Sequence, residues 1–135
     1  MVIRELEILC LVTGILAISG CGGIKPVTGG TVGALKVAGQ LLSDIQVTVH
    51  RVEGTATEAV GFGTTDQEGL FELVTNEAQG PLVLDAGEYR FTLESAGAPV
   101  QFPEEYSKPE TTPLTKVWGD GNGELELQVP TAVIQ

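Results

Sequence analysis

The stretch DIQVTVH, residues 44–50, alternates apolar and polar side chains without a break. In an extended chain, Ile45, Val47 and Val49 fall on one side, and the polar residues between them fall on the other. A period of two is typical of a strand that buries one face. The stretch therefore predicts a β-strand whose sheet covers a core on one side.

The same alternation returns further along, in FEL (71–73), YRFTLE (89–94) and ELELQV (124–129), and no helical stripe persists after residue 22. Turn sequences rich in Asp, Asn and Gly separate these runs, because such residues cap local amides or adopt positive φ. The chain is therefore predicted to be an all-β sandwich. Its seven strands are expected near residues 33–38, 44–52, 58–64, 69–75, 87–95, 113–118 and 123–130.

Two connecting segments carry separate expectations. Residues 97–113 contain four prolines and no alternation, which predicts a long crossing loop without a strand. Phe102 and Tyr106 are expected to hold this loop against the sandwich, and the alternative is that they line a ligand site. Residues 119–123, GDGNG, predict a hairpin turn, since they lack the twelve-residue spacing of a calcium loop. Weak surface calcium binding is left open.

The N-terminal segment indicates export. Residues 8–18 form an uncharged run of eleven, too short for the roughly 20 residues of a spanning helix but suited to a signal peptide. The following Ile18-Ser19-Gly20-Cys21 resembles the lipobox of bacterial lipoproteins. That resemblance implies a signal-peptide helix over residues 1–20, cleavage before Cys21, and acylation of its thiol. The alternative is that Cys21 is an ordinary thiol in an N-terminal helix.

Glycine and proline are frequent in residues 22–30, which predicts a flexible linker, so the expected organisation is a lipidated linker over 21–30 and the sandwich over 31–135. An edge strand over residues 27–32 is the alternative. Cleavage would remove Cys10 and leave Cys21 acylated, so no disulfide is expected.

Several motifs of the sandwich resemble a known family. The turn residues Thr65, Asp66, Gly69 and Phe71, with Gly87 and Tyr89 on a later strand, are similar to the carboxypeptidase regulatory-like domain. That resemblance implies a seven-stranded, transthyretin-like (prealbumin-like) sandwich. The C-terminal stretch, residues 102–129, is similar to that of small bacterial envelope lipoproteins built from a lipobox, a short linker and one such domain.

Composition and residue types exclude several functions. The chain has 7 Lys and Arg against 18 Asp and Glu, and the net charge of −11 makes a nucleic acid an improbable partner. His50 is the single histidine, expected to be exposed on the polar side of its strand. A hydrolytic triad or a zinc site would rely on histidine, and a lone exposed histidine usually belongs to neither kind of site. Transthyretin-like hydroxyisourate hydrolases use several histidines and a tyrosine-rich C-terminus, whereas this chain ends PTAVIQ.

No catalytic residue, metal or cofactor is therefore expected. The predicted function is that of a lipid-anchored, non-enzymatic module of the bacterial cell envelope, held to the membrane through Cys21 on the periplasmic or outer-membrane face. It would be a structural or binding module for a protein or glycan partner, and its exposed edge strands could accept a strand of that partner. The alternatives are an envelope hydrolase using Asp85, Glu104 and Glu105, and a passive periplasmic spacer.

Overall fold

The computed structural model describes residues 27–119, 123–130 and 132–134. The predicted signal peptide, the predicted lipidation site Cys21 and most of the predicted linker lie outside these ranges. Within them, no helix combines the length and the apolar character needed to cross a membrane.

The described residues form an all-β fold, as predicted. Each of the seven predicted strands overlaps an observed one, and three additional strands are two residues long. The strands are β1 (Val32–Val37), β2 (Ile45–Glu53), β3 (Ala56–Thr64), β4 (Leu70–Glu72), β5 (Val74–Thr75), β6 (Gly87–Ser95), β7 (Val100–Gln101), β8 (Thr115–Trp118), β9 (Leu125–Val129) and β10 (Val133–Ile134).

Two sheets enclose the core. The larger sheet has the order β5-β3-β2-β6-β8 with antiparallel neighbours, and the smaller has the order β4-β1-β9. In the smaller sheet β1 pairs antiparallel with β4 and parallel with β9. The inward-facing aliphatic residues of β2 are fully buried, together with Leu35 and Val37 of β1 and Leu125, Leu127 and Val129 of β9. The arrangement fits a β-sandwich, and the predicted alternation of 44–50 is confirmed.

The predicted strand over residues 69–75 is in fact divided between the two sheets. Leu73, which is fully buried, lies between β4 in the smaller sheet and β5 in the larger one. Its N–H donates to the Thr31 carbonyl at 2.9 Å, and its carbonyl accepts from Leu82 N at 3.0 Å. Because other segments satisfy these backbone groups, the chain crosses between sheets here and closes this side of the sandwich.

The prediction of a hairpin at residues 119–123 is wrong. β8 pairs with β6 in the larger sheet, whereas β9 pairs with β1 in the smaller one, so the segment between them crosses from sheet to sheet. A hairpin turn joins antiparallel neighbours within one sheet, whereas β8 and β9 belong to different sheets.

The predicted turn at residues 65–69 is confirmed. The Asp66 carboxylate accepts from Glu68 N at 2.8 Å and from Leu70 N at 3.0 Å. Gly69 has φ +74°, and a Cβ there would lie 2.9 Å from the Leu35 carbonyl oxygen. A glycine is thus required both by the backbone conformation and by the close approach of β1.

Part of the predicted linker contacts the sandwich. Gly29 N donates to the Glu72 carboxylate at 2.6 Å, and Thr31 N donates to the Leu82 carbonyl at 2.9 Å. A Cβ on Gly30 would lie 2.0 Å from the Leu73 carbonyl oxygen, so the backbone is closely packed there. Residues 27–32 do not form the alternative edge strand, because β1 begins only at Val32. The boundary between the linker (21–30) and the sandwich (31–135) stays a prediction.

Candidate ligand-binding groove

Residues 97–113, here called the strap, follow β6 and pass over the outer face of the larger sheet before the chain returns as β8. The prediction of a loop without a strand needs correction, because Val100 and Gln101 form β7 and pair with β10. A 3₁₀ helix, Glu104–Ser107, follows directly. The strap is therefore ordered by backbone pairing as well as by packing.

Tyr106 and Phe102 hold the strap on the sandwich, as predicted. Tyr106 is 5% exposed and belongs to the buried core, while Phe102 is half-buried and packs against that core. Burial raises the pKa of the Tyr106 hydroxyl, and the neighbouring Glu105 carboxylate raises it further. The alternative prediction is that these two aromatic residues line a ligand site. Of the two, Phe102 borders a groove between the strap and the sheet.

Polar bonds fix the second half of the strap. Arg90 on β6 donates through Nη1 to the Pro109 carbonyl at 3.0 Å. The Thr112 hydroxyl, on a residue only 6% exposed, donates to the Phe91 carbonyl at 2.7 Å. Both contacts attach the strap to β6, the strand that it follows.

The groove has a volume of about 620 Å³ and lies under the first half of the strap. Its floor is the polar face of β2 and β6, where Thr48 and Thr92 are cross-strand partners and Glu94 is the next outward residue of β6. Its strap wall includes Gln101, Phe102, Glu104 and Ser107. The groove thus combines hydroxyls, carboxylates, an amide and one aromatic ring.

His50 lies beside the groove floor rather than exposed, which corrects the prediction. It is on the polar side of β2 as expected, but the strap half-buries it. Its Nε2 lies 2.9 Å from the Thr92 hydroxyl. Burial lowers the pKa of His50 below its ordinary value of 6.5, and the Glu110 carboxylate on the strap opposes this effect. The neutral imidazole is therefore favoured at this site.

Arg90, the cross-strand neighbour of His50, also lies beneath the strap. Its Nε is buried and has no hydrogen-bond partner among the residues that the structure describes. The region beneath the second half of the strap therefore places a cation, a neutral histidine and the Glu110 carboxylate close together.

The three carboxylates of the hydrolase alternative do not all converge: Glu104 and Glu105 line one open cavity of about 320 Å³, and Asp85 is not part of it. Glu104 borders the groove, with a side chain that is 84% exposed and lies 3.6 Å from the Lys108 ammonium. Asp85 precedes β6, whereas the groove lies at the other end of that nine-residue strand, roughly 25 Å away at 3.3 Å per residue. Within the described ranges, no cluster of three or more His, Cys, Asp and Glu side chains could hold a metal ion.

A hydroxyl 2.9 Å from an imidazole, as in Thr92 and His50, resembles the first two members of a nucleophile-base-acid arrangement. Such a site also needs an acid that orients the base. No side-chain acceptor for the Nδ1 of His50 lies within hydrogen-bond distance in the described part of the chain. The contact with His50 gives the buried Thr92 hydroxyl a hydrogen-bond partner.

Comparison with known proteins adds little to this site. No protein-family model matches the chain, and no curated protein matches it. Among solved structures, a 9R-lipoxygenase from Cyanothece PCC8801 matches with 21% identity and a TM-score of 0.42, over 81% of this chain and 18% of the lipoxygenase chain. A similarity of that strength supports no statement about fold or activity.

Proposed function

We propose that this protein is a lipid-anchored, non-enzymatic binding module of the bacterial cell envelope, and that its groove binds a glycan. In this proposal the sandwich is a carboxypeptidase regulatory-like domain of transthyretin-like topology with seven principal strands. Residues 1–20 are a signal peptide, and acyl chains on Cys21 hold the mature protein at the membrane. The proposal involves no catalytic residue, metal or cofactor.

The lining of the groove is the observation that carries the proposal. Ligand sites of roughly 300–1,000 Å³ with a few placed polar groups are typical of small-ligand binding, and the volume of about 620 Å³ falls in that range. The carboxylates of Glu94 and Glu104 accept hydrogen bonds from sugar hydroxyls or amines, and Phe102 offers apolar surface to a sugar ring. The two carboxylates would repel an anionic sugar, so a neutral or amino-bearing glycan fits best.

The charge and sequence of the N-terminal region support the anchor. An acidic chain is repelled by anionic lipid headgroups, so attachment must come from apolar insertion. One acyl chain holds a protein only marginally, whereas two or three acyl chains hold it stably. A lipobox cysteine that carries a diacylglyceryl group and an acylated amino terminus would meet this requirement.

The groove is tested with saccharides of defined charge. The full-length protein in detergent is titrated by calorimetry with chitotriose, with a glucosamine trimer and with trigalacturonate. We expect the first two to bind and the anionic trimer not to bind. Phe102→Ala should weaken binding at least tenfold. Phe62→Ala serves as the matched control, because Phe62 is half-buried on the same sheet face but does not line the groove.

Equal binding by both variants, or no binding by the wild-type protein, would contradict the groove assignment. Mass spectrometry of the saccharide after incubation separates binding from hydrolysis, since a binding module leaves the trimer intact. A shortened product would favour the hydrolase alternative instead.

The anchor is tested independently in cells. Cys21→Ser should leave the precursor uncleaved and abolish incorporation of labelled palmitate, because the lipobox thiol is then missing. Unchanged processing or labelling in this variant would contradict the anchor, and it would leave the groove assignment untouched.

A further inference from the structure

The sandwich is closed on one side and open on the other. The chain itself bridges the sheets between β4 and β5. On the opposite side β8 and β9 are the terminal strands of their sheets, and no other strand of the described residues pairs with their outer edges. We name this open side the seam, formed by residues 113–117 of one sheet and residues 126–128 of the other.

We infer that the seam accepts an extended, basic segment of a partner protein as an added β-strand along β8. This inference goes beyond the proposed function, because the seam and the groove share no lining residue. Failure of either assignment therefore leaves the other intact.

Among the residues that the structure describes, none forms a backbone hydrogen bond with the outer edge of β8. Phe91 N donates to the Leu114 carbonyl at 2.9 Å, and hydrogen-bonded pairs alternate along antiparallel strands. In the register Tyr89↔Lys116 and Gly87↔Trp118, the backbone groups of Lys116 and Trp118 therefore point to β6. The N–H and C=O groups of Thr115 and Val117 point outward, in the pattern that an added strand requires.

The side chains along the seam alternate in the same way. Between the two sheets lies a slot of about 320 Å³, in which the apolar residues Leu114 and Leu127 are flanked by Lys116, Glu126 and other polar side chains. On the outer face, Val117 is 81% exposed. An added strand would thus direct apolar side chains into the slot and place every second side chain on the outer face.

Charge identifies the partner as basic. The cross-strand neighbour of Val117 on the outer face is Glu88, and Glu126 is on the opposite lip of the slot. Lysine or arginine side chains on the outward positions of an added strand would project from the same sheet face as Glu88 and would be attracted by its carboxylate. A strand that alternates apolar and basic residues therefore fits both faces of the seam.

A second copy of this chain fits less well. In the register that pairs Thr115 of one copy with Val117 of the other, antiparallel pairing of β8 with itself would place Lys116 directly opposite its own copy, and like charges in that position are destabilising. Each chain also carries a net charge of −11. Self-association through the seam therefore becomes an outcome that the experiment must exclude.

The probe is a fluorescein-labelled, amidated (Val-Lys)₄ peptide, and (Val-Glu)₄ is the charge-reversed control. Anisotropy with the full-length protein in detergent should show saturable binding of the first peptide and none of the second. Val117→Pro should weaken binding at least tenfold, because it removes an outward N–H without removing a bond to β6. Val117→Thr keeps that N–H and should bind within about twofold of wild type.

Amide exchange on the unmodified protein provides a second measurement, which does not depend on how a variant folds. Bound (Val-Lys)₄ should slow exchange at Thr115 and Val117. Equal binding by Val117→Pro, or protection confined to the groove residues, would overturn the inference, since attraction between charges alone would explain it. Dimers that form through β8 in sedimentation analysis would overturn it in favour of a second copy.

Discussion

The Thr112 hydroxyl takes the place of a missing backbone bond between β6 and β8. Phe91 N donates to the Leu114 carbonyl, and in a regular ladder Leu114 N would donate back to the Phe91 carbonyl. Instead, the Thr112 hydroxyl lies between these two groups. It donates to the Phe91 carbonyl at 2.7 Å and accepts from Leu114 N at 3.2 Å.

Replacement of Thr112 by valine keeps the side-chain shape and removes both bonds. An unsatisfied buried donor or acceptor costs about 1–3 kcal/mol, and two groups lose their partner. Direct pairing of Leu114 N with the Phe91 carbonyl would recover part of this cost, so we expect about 2 kcal/mol less free energy of unfolding. With a urea m-value of about 2 kcal/mol/M, the midpoint of unfolding falls by about 1 M.

Fluorescence of Trp118, the single tryptophan and only 8% exposed, reports this unfolding. The control is Thr111→Val, the same substitution at the preceding residue. The exposed Thr111 hydroxyl donates to the Glu105 carbonyl at 2.9 Å, and water can replace it there. The control should therefore change stability by less than about 0.5 kcal/mol. Equal midpoints for the two variants would refute the assignment of the hydroxyl to the ladder.

Three further predictions follow from other contacts. Gly69→Ala should lower the melting temperature more than Gly39→Ala, because both have positive φ but only the first would bring a Cβ within 2.9 Å of backbone. Tyr89→Phe should cost about 1 kcal/mol in urea unfolding, since its hydroxyl donates to the Asp85 carbonyl at 2.8 Å. Because the folded-state pKa of His50 is lowered, stability should fall as pH drops below about 6.5, and His50→Gln should flatten the unfolding midpoint between pH 7 and 5.5.

Side-chain alternation predicted the strands because each main strand buries one face. The alternation of Ile45, Val47 and Val49 is sufficient to place β2, whose partners β3 and β6 lie on either side. Alternation contains no information about which sheet a strand joins. The division at Leu73 and the parallel pairing of β9 with β1 depend on hydrogen bonds between distant segments, so neither was predictable from local pattern.

The groove was only partly predictable, for a related reason. Phe102 stood out in the strap as an aromatic residue among prolines, and both of its predicted roles could be named. Thr48 and Thr92 gave no signal, since threonines on the polar face of a strand are usually solvated. They became part of a site because the strap covers that face, and Thr92 is consequently 8% exposed.

Covering a polar face also bears on our proposal that the groove binds a ligand and has no catalytic role. Burial of the Thr92 hydroxyl is unfavourable unless it has a partner, and the neutral imidazole of His50 supplies one. Burial beneath the strap lowers the pKa of His50, so protonation of this histidine would disturb the packing there. A catalytic base would need this histidine to gain and release a proton during turnover. In the proposed function, His50 is engaged by this cross-strand contact beneath the strap and does not act as a base, and the hydroxyls and carboxylates on the open side of the groove bind the ligand.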